Sequence, residues 1–210
     1  MDRAGRWRVS ADAIDVRRFV GVEISDYLDA LATLRIEIFR AFPYLYDGDR
    51  AYEERYLRTY IRTPRSVALI AFASDGRVVG ASTGAPLAAE PAETRAPFEA
   101  AGEAIEGVFY CGESLVYPAF RGRGIYRRFV EGRERFARDS GFAVCTFCAV
   151  DRCADHPARP HDYEPLDRIW EAFGYRKRPN LVARYAWKDC GDTHESEKPM
   201  TFWTKALAPR

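Results

Sequence analysis

The chain has 210 residues, 47% of them apolar and 30% charged, which suits a water-soluble globular protein with a substantial core. Its 32 basic and 31 acidic side chains give a formal net charge of +1, so no bulk field draws it to nucleic acid or a membrane surface. Any anion site must be local. Five scattered cysteines do not make a disulfide framework, no run approaches the length of a membrane span, and the N-terminal "MDRAGRWRVSADAIDV" has no apolar signal core. The expectation is one reduced, cytoplasmic domain over residues 1–210, with its core at about 14–206.

Tyr27, Leu31, Leu34, Ile38 and Phe42 recur at helical spacing between a potential cap, Ser25, and Pro43. A second helix can start at Asp49, carry Tyr52, Tyr56 and Tyr60 on one face, and end before Pro64. The aromatic, acidic loop "FPYLYDGD" joins the two. "SVALIAFAS" and "RVVGASTG", separated by "DG", predict a β-hairpin. The Ala/Glu-rich stretch 88–107 holds a short surface helix. "VFYCGESLVYP" then reads as a strand, and its internal Gly112 marks a bulge or a close backbone approach.

From Gly124 a helix places Ile125, Phe129, Gly132 and Phe136 on one face. Arg127, Arg128, Glu131, Arg133, Glu134 and Arg135 fall on the others, and Gly132 allows close packing on a sheet. "FAVCTFCAV" predicts a buried strand. Leu166, Ile169, Trp170 and Phe173 predict a short helix with Pro165 near its start and Gly174 at its end. "LVARYAWKD" and "MTFWTKAL" predict two closing strands.

The densest chemistry lies in "VYPAFRGRGIYRRF", where a strand passes through a glycine-containing loop straight into a helix. The first N–H groups of a helix lack internal acceptors, and the dipole places positive charge there. Gly122 and Gly124 clear side chains from those amides, while Arg121 and Arg123 add guanidinium forks suited to phosphate oxygens. The expected ligand is a phosphate or pyrophosphate. A nucleotide P-loop needs GxxxxGK[ST], which is absent, and a dinucleotide fingerprint fails at Arg127. A bare RGRG would suit a solvated helix start or a nucleic-acid patch, but the V-x-P before it and the apolar stripe after it favour the anion seat.

This stretch resembles the acyl-CoA loop of the GNAT superfamily of N-acetyltransferases, Q/R-x-x-G-x-G/A usually preceded by V-x-P. Here Val116–Pro118 supply the lead-in, and "RGRGIY" supplies Arg121, Gly122, Arg123, Gly124 and Ile125, with Tyr126 where the family has Gly or Ala. The resemblance implies an α/β fold of the α+β type, with a mixed, mostly antiparallel central sheet flanked by helices. It implies acetyl-CoA as acyl donor, its pyrophosphate on the amides of residues 121–126 and its pantetheine arm paired with the backbone at Leu115 and Val116. It also implies a small-molecule or peptide amine as acceptor, with Glu113 as the base acting directly or through water. The family's usual tyrosine acid aligns with Trp170, which cannot donate as a phenol does. Tyr163, Tyr126 and Tyr117 are the substitutes in that order.

In this superfamily the acceptor is usually met by the first two helices and their connection, which points to Tyr44 and Tyr46 as stacking groups. Asp47 and Asp49 would attract an ammonium, although Asp49 also reads as a helix cap. A zinc site among Cys145, Cys148, Cys153, His156 and His161 is disfavoured, because strand residues three apart point to opposite faces. The proline-containing loop they belong to is expected to form a cleft wall. No metal, nucleic acid or membrane partner is expected, and a homodimer is compatible with the chain. The alternative reading is a non-catalytic acyl-CoA-binding module of the same fold.

Overall fold

The computed structural model describes residues 13–208, so the N-terminal segment read above lies mostly outside the described residues. Seven strands form one sheet in the order β1-β2-β3-β4-β5-β7-β6. They are β1 (Asp15–Val20), β2 (Val67–Phe72), β3 (Val78–Pro86), β4 (Val108–Val116), β5 (Val144–Val150), β6 (Arg176–Trp187) and β7 (Ser196–Ala206). Every neighbouring pair is antiparallel except β4 with β5.

Strand β2 shows how the layers arise. Its six residues, VALIAF, are all buried without alternation, as befits a strand covered on both faces. Ala68, Ile70 and Phe72 pack under α1 (Leu28–Phe39) and α2 (Arg50–Arg62), while Val67, Leu69 and Ala71 join the cluster beneath α4 (Ile125–Asp139). Helix α4 settles closely there, since a Cβ built on Gly132 would meet Leu69 Cδ1 at 2.6 Å. A third cluster unites Phe98 of α3 (Ala92–Ala100) with Leu181 and Phe202 of the last two strands. Among the described residues no helix is long and apolar enough to cross a membrane.

Several local expectations need correction. The edge strand β1 has no apolar alternation to announce it, because Arg17 and Arg18 lie exposed along it. Ser25 lies inside a short 3-10 helix, Gly21–Tyr27, where its hydroxyl donates to Val22 O (2.6 Å), and α1 ends before Phe42. Arg133 and Glu134 are buried on α4 instead of solvated. The short helix α5 (Asp167–Ala172) leaves Leu166 and Ile169 exposed and packs mainly through Trp170 and Phe173.

Two irregularities prepare the site. β4 and β5 pair only at Val108↔Val144, Phe109↔Cys145 and Tyr110↔Thr146. Beyond that, β4 stays with β3 up to Val116↔Gly80, and β5 stays with β7 up to Val150↔Met200. The two central strands therefore diverge, and the β4 edge from Cys111 to Val116 faces the opening without a strand partner. The second irregularity is a register shift between Ser82 and Gly84 opposite β4. It sets Gly112 and Glu113 against the single Thr83, the geometry of a β-bulge.

Candidate active site

The opening between β4 and β5 is the floor of a cavity of ≈ 860 Å³. One end is formed by Arg121, Gly122, Gly124, Ile125 and Tyr126, the other by Gly112, Glu113 and Cys148. Gly122 (φ 75°) and Gly124 (φ 73°) are left-handed, and a Cβ at either would meet nothing within 4 Å. The glycines thus keep both the backbone turn and the space in front of the helix start open. Arg128 N–H, donating to Gly124 O at 3.2 Å, begins the helical ladder, which leaves the preceding amides without intrahelical acceptors. Arg121 folds back to cap Val116 O (3.1 Å), so this carbonyl already has a donor, while Leu115 is buried beneath α1. The residues present fit a pyrophosphate with an extended arm running along β4.

The bulge directs Glu113 away from solvent. Its carboxylate receives Thr83 Oγ1 (2.8 Å) and pairs with Arg35 of α1, which also pairs with Glu53 of α2. Glu53 and Glu113 are buried and Arg35 nearly so. Burial pulls the Arg35 pKa down, but Glu113 and then Glu53 outweigh it and raise it well above its ordinary value. The Arg35 guanidinium also stands 4.3 Å from the Tyr56 ring centroid. Gly112 is obligatory at the bulge: a Cβ there would run into the Tyr60 hydroxyl and lie 2.6 Å from Thr83 Oγ1.

A second cavity, of ≈ 500 Å³, opens on the α1–α2 side and shares Phe39, Tyr44, Gly112 and Cys148 with the first. The loop predicted to meet the acceptor lies here, with Tyr44 at the junction and Tyr46 on the wall of the smaller cavity. Arg152, just after β5, holds the loop by donating to Pro43 O and Tyr44 O (2.7 Å each) and bidentately to Asp189 (2.8 and 2.9 Å). Asp47 is already engaged: Lys188 at 2.7 Å, with Arg40 at 3.5 Å, lowers its pKa and neutralises its field. Asp49 caps α2, accepting from Tyr52 N (2.7 Å). The proline-containing loop forms a wall of the larger cavity through Arg159, Tyr163 and Pro165. Cys145 packs beneath α4 and Cys148 on the opposite side of β5.

The three tyrosines considered as acids are separated by their settings. Tyr117 donates to Glu37 (2.5 Å) and lines neither cavity, so it is not placed to act. Tyr163 lines the larger cavity, its ring 4.6 Å from that of Phe42, and burial raises its pKa. Tyr126 and Trp170, read from the sequence as departures from the pattern it resembles, touch each other. Trp170 Nε1 donates to Tyr126 Oη at 2.9 Å, and the Trp170 ring is held edge-on by Phe147 and Trp203. Sequence reasoning missed Arg35, Glu53 and Arg152, whose partners are distant in the chain, and also Glu90, a buried residue of the smaller cavity.

No family model and no curated protein sequence matches the chain. Solved structures do: the architecture is the fold of the GCN5-related N-acetyltransferases, as the resemblance implied. One such enzyme, from Kribbella flavida, is 20% identical, with a TM-score of 0.59 over 94% of this chain and 100% of that chain. A ribosomal-protein-alanine N-acetyltransferase from Brucella melitensis is 17% identical, with a TM-score of 0.59 over 92% of this chain and 99% of that one. The yncA protein from Salmonella typhimurium, solved with its cofactor acetyl-CoA, is 14% identical, with a TM-score of 0.55 over 94% and 96%. At such identities the likeness establishes the fold.

Proposed function

We propose that the protein transfers an acetyl group from acetyl-CoA to an amine, both substrates being bound at once. The observation that carries this reading is the meeting of two cavities at Gly112 and Cys148, one leading to the glycine-rich helix start and the other to a chamber walled by tyrosines and carboxyl groups. The donor's pyrophosphate sits on the amides of residues 121–126 with Arg121 and Arg123 beside it, and its arm follows the β4 edge near Leu115 and Val116. The amine approaches from the smaller cavity past Tyr44 and Tyr46.

The amine nitrogen bonds to the thioester carbon, the carbon–sulfur bond breaks, and one amine proton must leave. Glu113 takes that proton through a water molecule, because both of its oxygens already have protein donors. Tyr163 returns a proton to the departing sulfur. The demand on it is small, since a thiol of pKa about 8.5 leaves readily near neutral pH.

Acetyl-CoA at about a hundred times its dissociation constant should stabilise the fold by roughly 2.7 kcal/mol. Absence of any thermal shift would sink the reading. Thiol release across an amine panel then separates an enzyme from a passive binder. Glu113→Gln should reduce turnover while keeping the acetyl-CoA shift, and unchanged turnover would remove Glu113 from the mechanism.

A further inference from the structure

The smaller cavity contains a feature that acetyl transfer by itself does not require. Glu53 on α2 is 0% exposed and Glu90, just after β3, is 4% exposed, and both line this cavity. Each keeps one carboxyl oxygen, Oε1, buried with no hydrogen-bond donor among the described residues. A buried acceptor left without a donor is unfavourable. Both belong to residues that line this one cavity, and among the described residues neither oxygen is supplied with a donor. The walls around them are aromatic, with Tyr46, Tyr52, Tyr56 and Trp187 contributing ring surface that attracts cations. Over the whole lining, six carboxyl side chains stand against three basic ones. Of those three, Arg35 is committed to Glu53 and Glu113, and Lys188 to Asp47.

We propose that this cavity selects an acceptor with a second cationic nitrogen beyond the amine that is acetylated, a diamine whose distal ammonium is held by Glu53 and Glu90 among the tyrosines. The assignment of the reacting end rests on the acetyl-transfer reading above. The distal site rests on the orphaned carboxyl oxygens. A small cavity with a few convergent polar groups suits such a molecule, and the junction at Gly112 lies where the reacting amine meets the donor groove.

The charge state of Glu90 agrees with this use. Burial pushes its carboxyl up to about 8, the Tyr60 hydroxyl opposes the rise, Glu113 adds to it, and Arg35 opposes it weakly. Tyr56 of α2, Tyr110 of β4, Cys148 of β5 and Tyr185 of β6 complete its titratable surroundings, and none of them is a cation. Near neutral pH this shift favours the protonated carboxyl when no cation is beside it, and an ammonium there favours the carboxylate.

The test compares 1,6-diaminohexane with n-hexylamine, which has the same length and one cation fewer. Calorimetric titration into protein saturated with CoA should show the diamine binding about tenfold more tightly, equivalent to 1.4 kcal/mol. Thiol release from acetyl-CoA should show the same preference in kcat/KM. Glu90→Gln should bring the diamine down to the level of the monoamine. Tyr52→Ala, at a residue 47% exposed and so tolerant of change, should also weaken the preference. Equal affinity for the two amines, or an undiminished preference in Glu90→Gln and Tyr52→Ala, would overturn the proposal. If neither amine releases thiol, the acetyl-transfer reading fails, and the titration still decides the cation site.

Discussion

Replacing Arg35 by leucine is the most direct test of how the site is held together. The guanidinium lies between Glu53 and Glu113, and the three side chains are 12%, 0% and 3% exposed in that order. Removing one partner of a buried ion pair costs about 3–5 kcal/mol, because the remaining charge is stranded away from water. Here two carboxylates are stranded by a single substitution. The ring contacts to Tyr56 and Phe39 are lost as well, each worth about 0.5–1 kcal/mol. Leucine recovers part of the lost packing, so a net cost of about 3–5 kcal/mol is expected. In a domain of this size each kcal/mol moves the melting temperature by about 2–4 °C, which predicts a fall of about 6–20 °C. Thermal unfolding by circular dichroism at pH 7 measures it. Adding Glu113→Gln or Glu53→Gln to the leucine variant should recover part of the loss by removing one stranded charge. A melting point within about 2 °C of the parent, or double variants no better than Arg35→Leu alone, would refute the buried-charge reasoning.

Glu90 should give the fold a pH signature. Its folded-state pKa of about 8 lies above the unfolded carboxyl value, so the associated stability is fully present below that unfolded value and is lost as pH rises through about 8. Across this window the parent should lose up to about 1.4 kcal/mol per pH unit, and Glu90→Gln should flatten the slope in urea midpoints measured from pH 5 to pH 8. Parallel slopes would contradict it. Gly124→Ala should cost about 1–2 kcal/mol through backbone strain at φ 73°, and should shrink the acetyl-CoA thermal shift by placing a methyl group before the helix start. An undiminished shift would move the anion seat elsewhere. Trp170→Phe and Tyr126→Phe should show a coupling of about 0.5–1.5 kcal/mol in a double-mutant cycle, and strict additivity would dissolve the pair. Arg152→Met should raise the amine KM more than it lowers kcat, because it frees the loop bearing Tyr44 and Tyr46, and an unchanged KM would count against that role.

What was legible in the sequence had local causes. The hairpin at Asp75-Gly76, the Asp49 cap of α2 and the glycine-bearing start of α4 depend on the backbone chemistry of a few consecutive residues, and each lies where it was read. What was illegible depends on chain topology. Periodicity assigns a charged residue to the outside of a helix, yet Arg133 and Glu134 are buried, because Arg133 reaches past α4 to the Glu113 carbonyl (2.8 Å) and Glu134 meets Lys205 (2.6 Å). Gly112 suggests a bulge, but only the partner strand shows that the bulge turns Glu113 toward an arginine 78 residues away. Glu90, in a stretch that reads as surface, is buried at the end of the short 3-10 helix Leu87–Ala89 that follows β3.

Tyr126 and Trp170, the two positions at which the sequence departs from the pattern it resembles, explain each other. Read one at a time, Tyr126 crowds a position reserved for a small residue, and Trp170 removes the family's phenol. They lie 44 residues apart in sequence and only the fold joins them, Nε1 of one donating to the hydroxyl of the other. An indole is donor-only, so the Tyr126 hydroxyl that accepts from it keeps its own proton to donate. The pair thus keeps a phenolic O–H, carried by α4, in the wall of the larger cavity. A tryptophan here without its tyrosine would leave a half-buried indole N–H without this acceptor, and the tyrosine alone would lose the contact that fixes its ring beside the helix start.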